Sequence, residues 1–162
     1  AMTLIENTLI TSHNEDVINR WGIINFDNVK EKTKDIVSEF DVRTPTLDNA
    51  AASLSGGNLQ KFVIGREILQ KPRVFVVNQP TWGVDAAAAA FIRQSILNLA
   101  SNDSAVVVIS QELDELFEIC DTFSVLTNGR MSKSHDIRSL SSEDVGLLMG
   151  GSDLDLKNRD KA

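Results

Sequence analysis

The sequence is poor in several kinds of residue, and each scarcity excludes a class of protein. Among 162 residues there is a single cysteine, Cys120, so an internal disulfide and a cysteine-based metal cluster are both excluded. No apolar run reaches the length of a membrane-spanning helix, so we expect any membrane association to go through a partner. Only 16 Lys and Arg face 23 Asp and Glu, which gives a net charge of −7 and no basic stripe. Because neutralising nucleic-acid phosphates takes clustered Lys and Arg, we expect no nucleic acid among the partners.

A further absence concerns phosphate binding. A P-loop follows the pattern Gly-x-x-x-x-Gly-Lys-Ser/Thr, and in this chain no glycine is followed by lysine. The chain therefore lacks the lysine that reaches the β- and γ-phosphates of a nucleotide, and the hydroxyl that such a loop offers to Mg²⁺. We expect the chain not to bind ATP tightly by itself.

What the chain does contain is a helix start suited to phosphate. The string Leu54-Ser55-Gly56-Gly57-Asn58 precedes apolar residues at helical spacing, so it predicts a helix N-terminus with unpaired N–H groups and a positive dipole end. Ser55 can cap this helix and donate its hydroxyl to a phosphate oxygen. Gly56 and Gly57 let the backbone come close to a ligand, and Asn58 adds a side-chain amide. Taken alone, the string is more typical of a well-capped helix with no ligand, and the helix and apolar strand that follow it favour the phosphate-binding role instead.

The segment before this string is predicted to be helical, and after it helices and strands alternate. The pattern predicts helices over 3–10, 28–40, 86–100 and 112–120, and strands over 74–77, 105–109 and 122–126. The strand over 74–77 is uniformly apolar, which predicts a buried strand, and strands separated by helices predict a parallel sheet. Asn128-Gly129 predicts a tight hairpin turn, and Ser141 is expected to cap a last short helix that runs toward Met149. Cys120 lies in an apolar helical stretch, where we expect a small buried hydrophobe.

Several motifs, in this order and at these intervals, resemble those of an ABC-transporter nucleotide-binding domain. The matching segments are Leu54–Asn58, continued by Leu59-Gln60-Lys61, for the signature motif; Val74–Gln79 for the Walker B strand; Trp82–Asp85 for the D-loop; and Ser110-Gln111 for the switch position. The residues within these motifs are similar to those in the C-terminal half of the tandem ATPase subunits that serve bacterial simple-sugar and nucleoside importers. The resemblance runs from about Met2 to Gly151.

The resemblance implies an α/β fold: a partial P-loop NTPase (ABC ATPase) parallel sheet with flanking helices, plus an α-helical subdomain. Residues 1–52 would be the remainder of that helical subdomain. Residues 53–138 would be the part of the ATPase core that carries the four motifs, and residues 139–162 a short helix and a polar tail. In the family the P-loop precedes the helical subdomain, so the chain is expected to begin after it.

The chain departs from the family at its catalytic positions. An active Walker B strand ends in Asp-Glu, where the aspartate holds Mg²⁺ through water and the glutamate polarises the attacking water. Here these positions are Asn78 and Gln79, and Gln111 stands where the switch histidine is expected. The only histidines, His13 and His135, lie in segments that cannot supply it. Amides bring no negative charge and accept no proton at pH 7, and loss of a general base costs about 10²- to 10⁴-fold in rate. Ordinary hydrogen bonding at strand ends is the alternative role for these three amides.

The family works as head-to-tail pairs of domains, with each ATP between one P-loop and the other domain's signature motif. By resemblance, Ser55, Gly56, Gly57 and Asn58 would serve an ATP held by a second nucleotide-binding domain. The opposite site, which would contain Asn78, Gln79 and Gln111, is expected to be impaired, and Asp85 would lie at the interface. The cofactors implied are ATP and Mg²⁺, in the full-length protein. The partners implied are the second domain, an integral membrane permease and, indirectly, an extracytoplasmic solute-binding protein, at the cytoplasmic face of the bacterial inner membrane.

Two other functions fit the sequence. In one, both sites of the full-length protein hydrolyse ATP, with Gln79 still able to position water. In the other, the chain belongs to a non-transport ABC ATPase or is a structural half-domain that only binds a partner. Because it has no P-loop, the chain alone is expected to be inactive in every case. The wording around Pro80 favours a nucleoside over a sugar as the transported solute.

Overall fold

The computed structural model describes residues 1–12 and 22–151, which group into two compact units, Ala1–Gln111 and Glu112–Ala162. His13 and the predicted polar tail over 153–162 lie outside the described residues. The units reflect packing, and the division of the chain at residues 52 and 138 stays a prediction. No helix among the described residues is long and apolar enough to cross a membrane.

The first unit contains four helices and two strands among its described residues. They are α1 (Leu4–Thr11), α2 (Phe26–Glu39), α3 (Gly56–Ile68), β1 (Val74–Asn78), α4 (Ala86–Ala100) and β2 (Ala105–Ile109). The predicted bounds of α4 and β2 are confirmed to the residue. Asp85 caps α4, because its side chain accepts a hydrogen bond from the Ala88 amide at 2.9 Å.

Helices α1, α2 and α3 share one apolar core. Leu4, Val29 and Phe62, one from each helix, are fully buried. The segment before α3 joins this core through an antiparallel bridge between Thr3 and Ala50. Burial of the three side chains removes apolar surface from water, which stabilises the cluster by about 1.5–3 kcal/mol for each side chain. This cluster holds the N-terminal end of α3 in place.

Strands β1 and β2 pair in parallel, as predicted, and α4 connects them. The prediction that the strand over 74–77 is buried is wrong for one of its faces. Phe75 is 7% exposed, but Val74 and Val76 are 63% and 61% exposed, because alternate side chains of a strand point to opposite faces and the described helices cover only one.

The second unit has short elements. They are α5 (Leu113–Ile119), β3 (Thr122–Phe123), β4 (Leu126–Thr127), β5 (Arg130–Met131), β6 (His135–Asp136) and α6 (Ser142–Met149). The single strand predicted over 122–126 is wrong. It divides into β3, antiparallel to β6, and β4, antiparallel to β5. Ser132 causes the division: its hydroxyl accepts from the Val125 amide at 2.9 Å, and its own amide donates to the Val125 carbonyl at 2.8 Å.

Two of three smaller predictions in this unit are confirmed, and the buried position expected for Cys120 is met only in part. Asn128 and Gly129, with φ of 48° and 73°, form the tight turn between β4 and β5. Ser141 and Asp144 form a capping box at the start of α6. Cys120 ends α5 in a half-buried position, and burial, followed by the nearby Asp121 and Glu115 carboxylates, raises the pKa of its thiol.

Candidate functional site

Helix α3 begins at Ser55 with its first-turn amides uncapped. Ser55 has extended backbone angles (φ −62°, ψ 156°), and its carbonyl accepts the first helical hydrogen bond, from the Leu59 amide at 2.8 Å. Its hydroxyl accepts no bond from a first-turn amide, so the predicted side-chain cap is absent from α3. The amides of this turn therefore have no side-chain partner, which is the state in which a helix start binds an anion.

The other long helices of the described chain differ from α3 in this respect. Side chains of Thr3, Asn25, Asp85 and Ser141 accept hydrogen bonds from first-turn amides of α1, α2, α4 and α6. Only α3 and the seven-residue α5 lack such a bond among these six helices. The first turn of α3 also contains no acidic residue, so its dipole is not neutralised from within the helix.

Asn58, in the first turn of α3, makes two side-chain hydrogen bonds. Its amide nitrogen Nδ2 donates to Ser55 Oγ at 2.9 Å. Its oxygen Oδ1 accepts from the backbone amide of Arg43 at 2.8 Å, fifteen residues earlier in the chain. Asn58 therefore links Ser55 to the segment that follows α2.

The two glycines at the start of α3, Gly56 and Gly57, lie against the segment that leads into α4. A Cβ atom at Gly56 would lie 3.4 Å from the Gly83 carbonyl oxygen. A Cβ atom at Gly57 would lie 3.7 Å from the Ala88 Cβ and 3.9 Å from Asp85 Oδ2. The start of α3 and the Trp82–Asp85 segment, which are separated in sequence, are thus brought together at van der Waals distance.

The carboxyl end of β1 turns sharply after Asn78. Gln79 has a left-handed backbone (φ 52°), and its amide still donates to the Ile109 carbonyl of β2 at 2.7 Å. From α3, Gln60 Nε2 donates to the carbonyl of buried Pro80 at 2.8 Å and to that of Gln79 at 3.4 Å. Sequence reasoning assigned no role to Gln60, and only its place in the string Asn58-Leu59-Gln60 marked it.

Asn78, Gln79 and Gln111, the three amides predicted to replace catalytic groups, lie at one edge of the sheet. Asn78 pairs in register with Ile109, and Gln111 follows Ile109 by two residues, so β1 and β2 end side by side. Asn78 and Gln111 are exposed and Gln79 is half-buried. None of the three side chains hydrogen-bonds to another residue of the described chain, so ordinary strand-end bonding does not occupy them.

The chemistry of this edge is neutral. Amides offer no proton acceptor at pH 7, and no group of three or more His, Cys, Asp or Glu side chains within residues 1–12 and 22–151 is placed to hold a metal ion. His135 lies in β6, in the other unit. These residues can hydrogen-bond to water or to a ligand, and they do not fit a carboxylate-held Mg²⁺.

Comparison with known proteins finds relatives both by sequence and by structure. No family model matches the chain. The chain is 34% identical over 147 residues to a guanosine import ATP-binding protein, NupO, of Bacillus subtilis, and 34% identical over 141 residues to a galactose/methyl galactoside import ATP-binding protein, MglA, of Mannheimia succiniciproducens. These matches cover 91% and 87% of the chain but only 29% and 28% of the relatives, so the chain spans less than a third of their length.

Solved structures agree on the fold. A dimeric ATP-binding cassette, MJ0796, bound to ADP and Pi, superposes with a TM-score of 0.68 at 19% identity and covers 85% of the chain. A nucleotide-free ATP-binding cassette from an ABC transporter superposes with a TM-score of 0.66 at 25% identity and covers 92%. The chain covers 57% and 59% of these structures. The predicted α/β fold class is confirmed by both.

Proposed function

The chain belongs to the ABC-transporter ATP-binding family, and from that premise we propose that it supplies the signature motif to an ATP held by a second nucleotide-binding domain. Its own Walker B and switch positions are degenerate in this proposal. The full-length protein would be the ATP-hydrolysing subunit of an importer for simple sugars or nucleosides, as the names of NupO and MglA suggest.

The open start of α3 is the observation that carries this proposal. Ser55 and Gly56 are exposed, the first-turn amides have no side-chain cap, and Ser55 offers a hydroxyl beside them. Phosphate oxygens are the ligands that such a turn binds best, since the N–H groups and the dipole act together. Ser55, Gly56 and Gly57 would hold the phosphates, and ATP would supply the bond that is cleaved.

The opposite site is proposed to be impaired. Asn78, Gln79 and Gln111 are neutral amides, and the absence of a carboxylate there removes both a general base and an anionic ligand for Mg²⁺. By its place in the D-loop, Asp85 would lie at the interface; within the chain its Oδ1 caps α4 and its Oδ2 lies 3.9 Å from a Cβ atom built at Gly57. Paired with a second domain that has its own catalytic groups, the chain would therefore form an asymmetric pair with one hydrolytic site.

The partners follow from this role. An import ATP-binding subunit drives an integral membrane permease, and we propose that it does so as a peripheral protein at the cytoplasmic face of the bacterial inner membrane. The extracytoplasmic solute-binding protein would act through the permease. The chain alone, which has no P-loop motif, would not turn over ATP.

The proposal is tested by ATP turnover in the full-length tandem protein. Ser55→Ala removes one hydrogen bond to a charged phosphate, and we expect ATPase activity to fall by about 10- to 100-fold. Gln79→Ala should change activity by less than about twofold, because the impaired site would contribute little turnover. Ser101→Ala, which removes an exposed hydroxyl bonded to its own helix α4, is the matched control and should leave activity unchanged.

A strong loss with Gln79→Ala would overturn the asymmetric arrangement and favour hydrolysis at both sites. Bound-nucleotide turnover measured separately at each site distinguishes the two arrangements directly. If Ser55→Ala leaves activity unchanged, the signature role itself is wrong, and a non-transport or purely structural role for the chain becomes the better reading.

A further inference from the structure

The hydrogen-bond donor on Arg43 determines the orientation of the Asn58 side chain. A backbone amide can only donate, so the Asn58 atom that lies 2.8 Å from it must be the oxygen Oδ1. The nitrogen Nδ2 then necessarily faces Ser55 Oγ, at 2.9 Å. The assignment of oxygen and nitrogen in this amide is thus set by its partners.

The Asn58 amide in turn determines where the Ser55 proton can go. Since Asn58 has no lone pair available on Nδ2, Ser55 Oγ is the acceptor of this bond, and its own proton must point elsewhere. Ser55 donates to no residue of the described chain, and it is exposed. The hydroxyl proton therefore has no acceptor within the described chain and is left available to a phosphate oxygen that approaches from solvent.

The anchor of this arrangement is itself held by α3. Lys61, one turn after Asn58, contacts Asp41 Oδ2 at 3.1 Å and the Asp41 carbonyl at 3.3 Å. The Lys61 side chain is only 14% exposed and lies 5.2 Å from the centre of the Phe91 ring. Val42, which lies between Asp41 and Arg43 in the sequence, is buried, and its amide donates to the Val37 carbonyl at 2.9 Å. The Arg43 amide is thus a fixed donor.

We infer that Asn58 is a positioning residue: anchored by the Arg43 amide, it turns the Ser55 hydroxyl outward for phosphate, and it does not itself act as a phosphate ligand. This assigns Asn58 a role different from the direct phosphate contact predicted for it. The inference rests on the proposed role of Ser55. It couples the segment after α2 to the signature serine through two hydrogen bonds.

A double-mutant cycle in the full-length tandem protein tests this inference. Asn58→Leu removes both bonds at similar volume, and kcat/KM for ATP should fall by about 2- to 10-fold. In the Ser55→Ala background the same substitution should have no further effect, because there is no hydroxyl left to orient. Asn98→Leu is the matched control: Asn98 is an exposed helical asparagine of α4 whose side chain accepts from Gln94, and kcat/KM should not change.

A second variant keeps the test independent of misfolding. Asn58→Asp retains an acceptor for Arg43 and places a negative charge in the first turn of α3, so its melting temperature should not fall. The carboxylate would accept a hydrogen bond from the Ser55 hydroxyl, which would turn the hydroxyl proton inward. We therefore expect kcat/KM to fall at least as far as in Asn58→Leu. Amide exchange at Arg43 should stay slow in Asn58→Asp and become faster in Asn58→Leu.

The outcomes separate the inference from the proposed function. If Ser55→Ala lowers kcat/KM and Asn58→Leu lowers it equally in both backgrounds, Asn58 contacts the ligand directly and only the inference is overturned. If Ser55→Ala has no effect on kcat/KM, the inference on Asn58 and the proposed signature role are both wrong. If Asn58→Asp keeps full kcat/KM, the direction of the hydroxyl proton is irrelevant and the inference is likewise wrong.

Discussion

Gly65 of α3 leaves the space that the Phe40 ring occupies. A Cβ atom at this position would lie 2.5 Å from Phe40 Cγ and 2.6 Å from its Cδ2. The ring has little freedom to retreat, because Phe40 is 4% exposed and packs edge-on against Phe91 with centroids 5.7 Å apart. A side chain at residue 65 therefore forces the ring or the helix to move.

Gly65→Ala is expected to destabilise the chain by about 1–3 kcal/mol, since overpacking outweighs the gain in helix propensity. Gly146→Ala in α6 is the matched control. No atom lies within 4 Å of its added Cβ, so it should stabilise that helix by about 0.5–1 kcal/mol. Native-state amide exchange in each helix measures both changes. Unchanged or greater protection in α3 of Gly65→Ala would show that Phe40 relaxes freely.

Single side chains of the site were predictable in position but not in bonding. Ser55, Gly56 and Gly57 stand at the start of α3, as their order in the sequence indicated. The hydrogen bond between the Arg43 amide and Asn58 joins residues fifteen apart in the sequence. Capping rules consider only neighbouring residues, so they could not predict it. Ser55 therefore does not form the cap that was expected of it. Its hydroxyl oxygen accepts a hydrogen bond from Asn58, and no side chain bonds to the first-turn amides of α3.

Helix α3 is tied to the loop after β1 by one side chain. Gln60 donates to the carbonyls of Gln79 and Pro80, which follow the strand end where the chain takes a left-handed conformation. Ser55 stands at the N-cap position of the same helix, so this bond joins the turn that begins at Ser55 to the end of β1. A displacement of α3 would therefore change the hydrogen bond from Gln60 to the Gln79 carbonyl.

Gln60→Leu is expected to leave the buried Pro80 carbonyl without a donor and to destabilise the loop by about 1–3 kcal/mol. Faster amide exchange at Trp82, whose amide donates to the Gln79 carbonyl at 3.2 Å, would report the loosened turn. Gln94→Leu, which removes an exposed amide from α4, is the control and should leave exchange at Trp82 unchanged. Equal exchange rates in both variants would mean that the backbone holds this turn alone.

Elements with a strong local pattern were predicted well, and elements fixed by distant partners were not. The run of alanines after Asp85 predicts both a cap and a strong helix, and α4 has the predicted bounds. The strand predicted over 122–126 failed because its apolar residues pair with two different partners, β5 and β6, and Ser132 interrupts it at Val125. Which partner a short strand takes is a tertiary property.

The β1–β2 pair exposes one apolar face along its whole length. Val74 and Val76 of β1 are 63% and 61% exposed, and Val107 and Ile109 of β2 are 50% and 52% exposed. Parallel sheets are normally covered on both faces, which is why their strands are apolar throughout. The uniform apolar pattern of residues 74–77 was therefore a correct sign of a parallel sheet and a wrong sign of burial among the described residues.

This face should bind hydrophobic dye when the chain is isolated. Val76→Thr combined with Val107→Thr keeps β-branched residues at a register pair and adds hydroxyls that stay in water, so we expect weaker 8-anilinonaphthalene-1-sulfonate fluorescence at nearly unchanged stability. The matched control combines Val77→Thr with Val108→Thr, a register pair on the opposite, half-buried face. It should lower the free energy of unfolding by about 1–3 kcal/mol and leave dye binding to the native state in place. Undiminished fluorescence in the first variant would mean that the dye binds elsewhere and that this sheet face is not the accessible apolar surface.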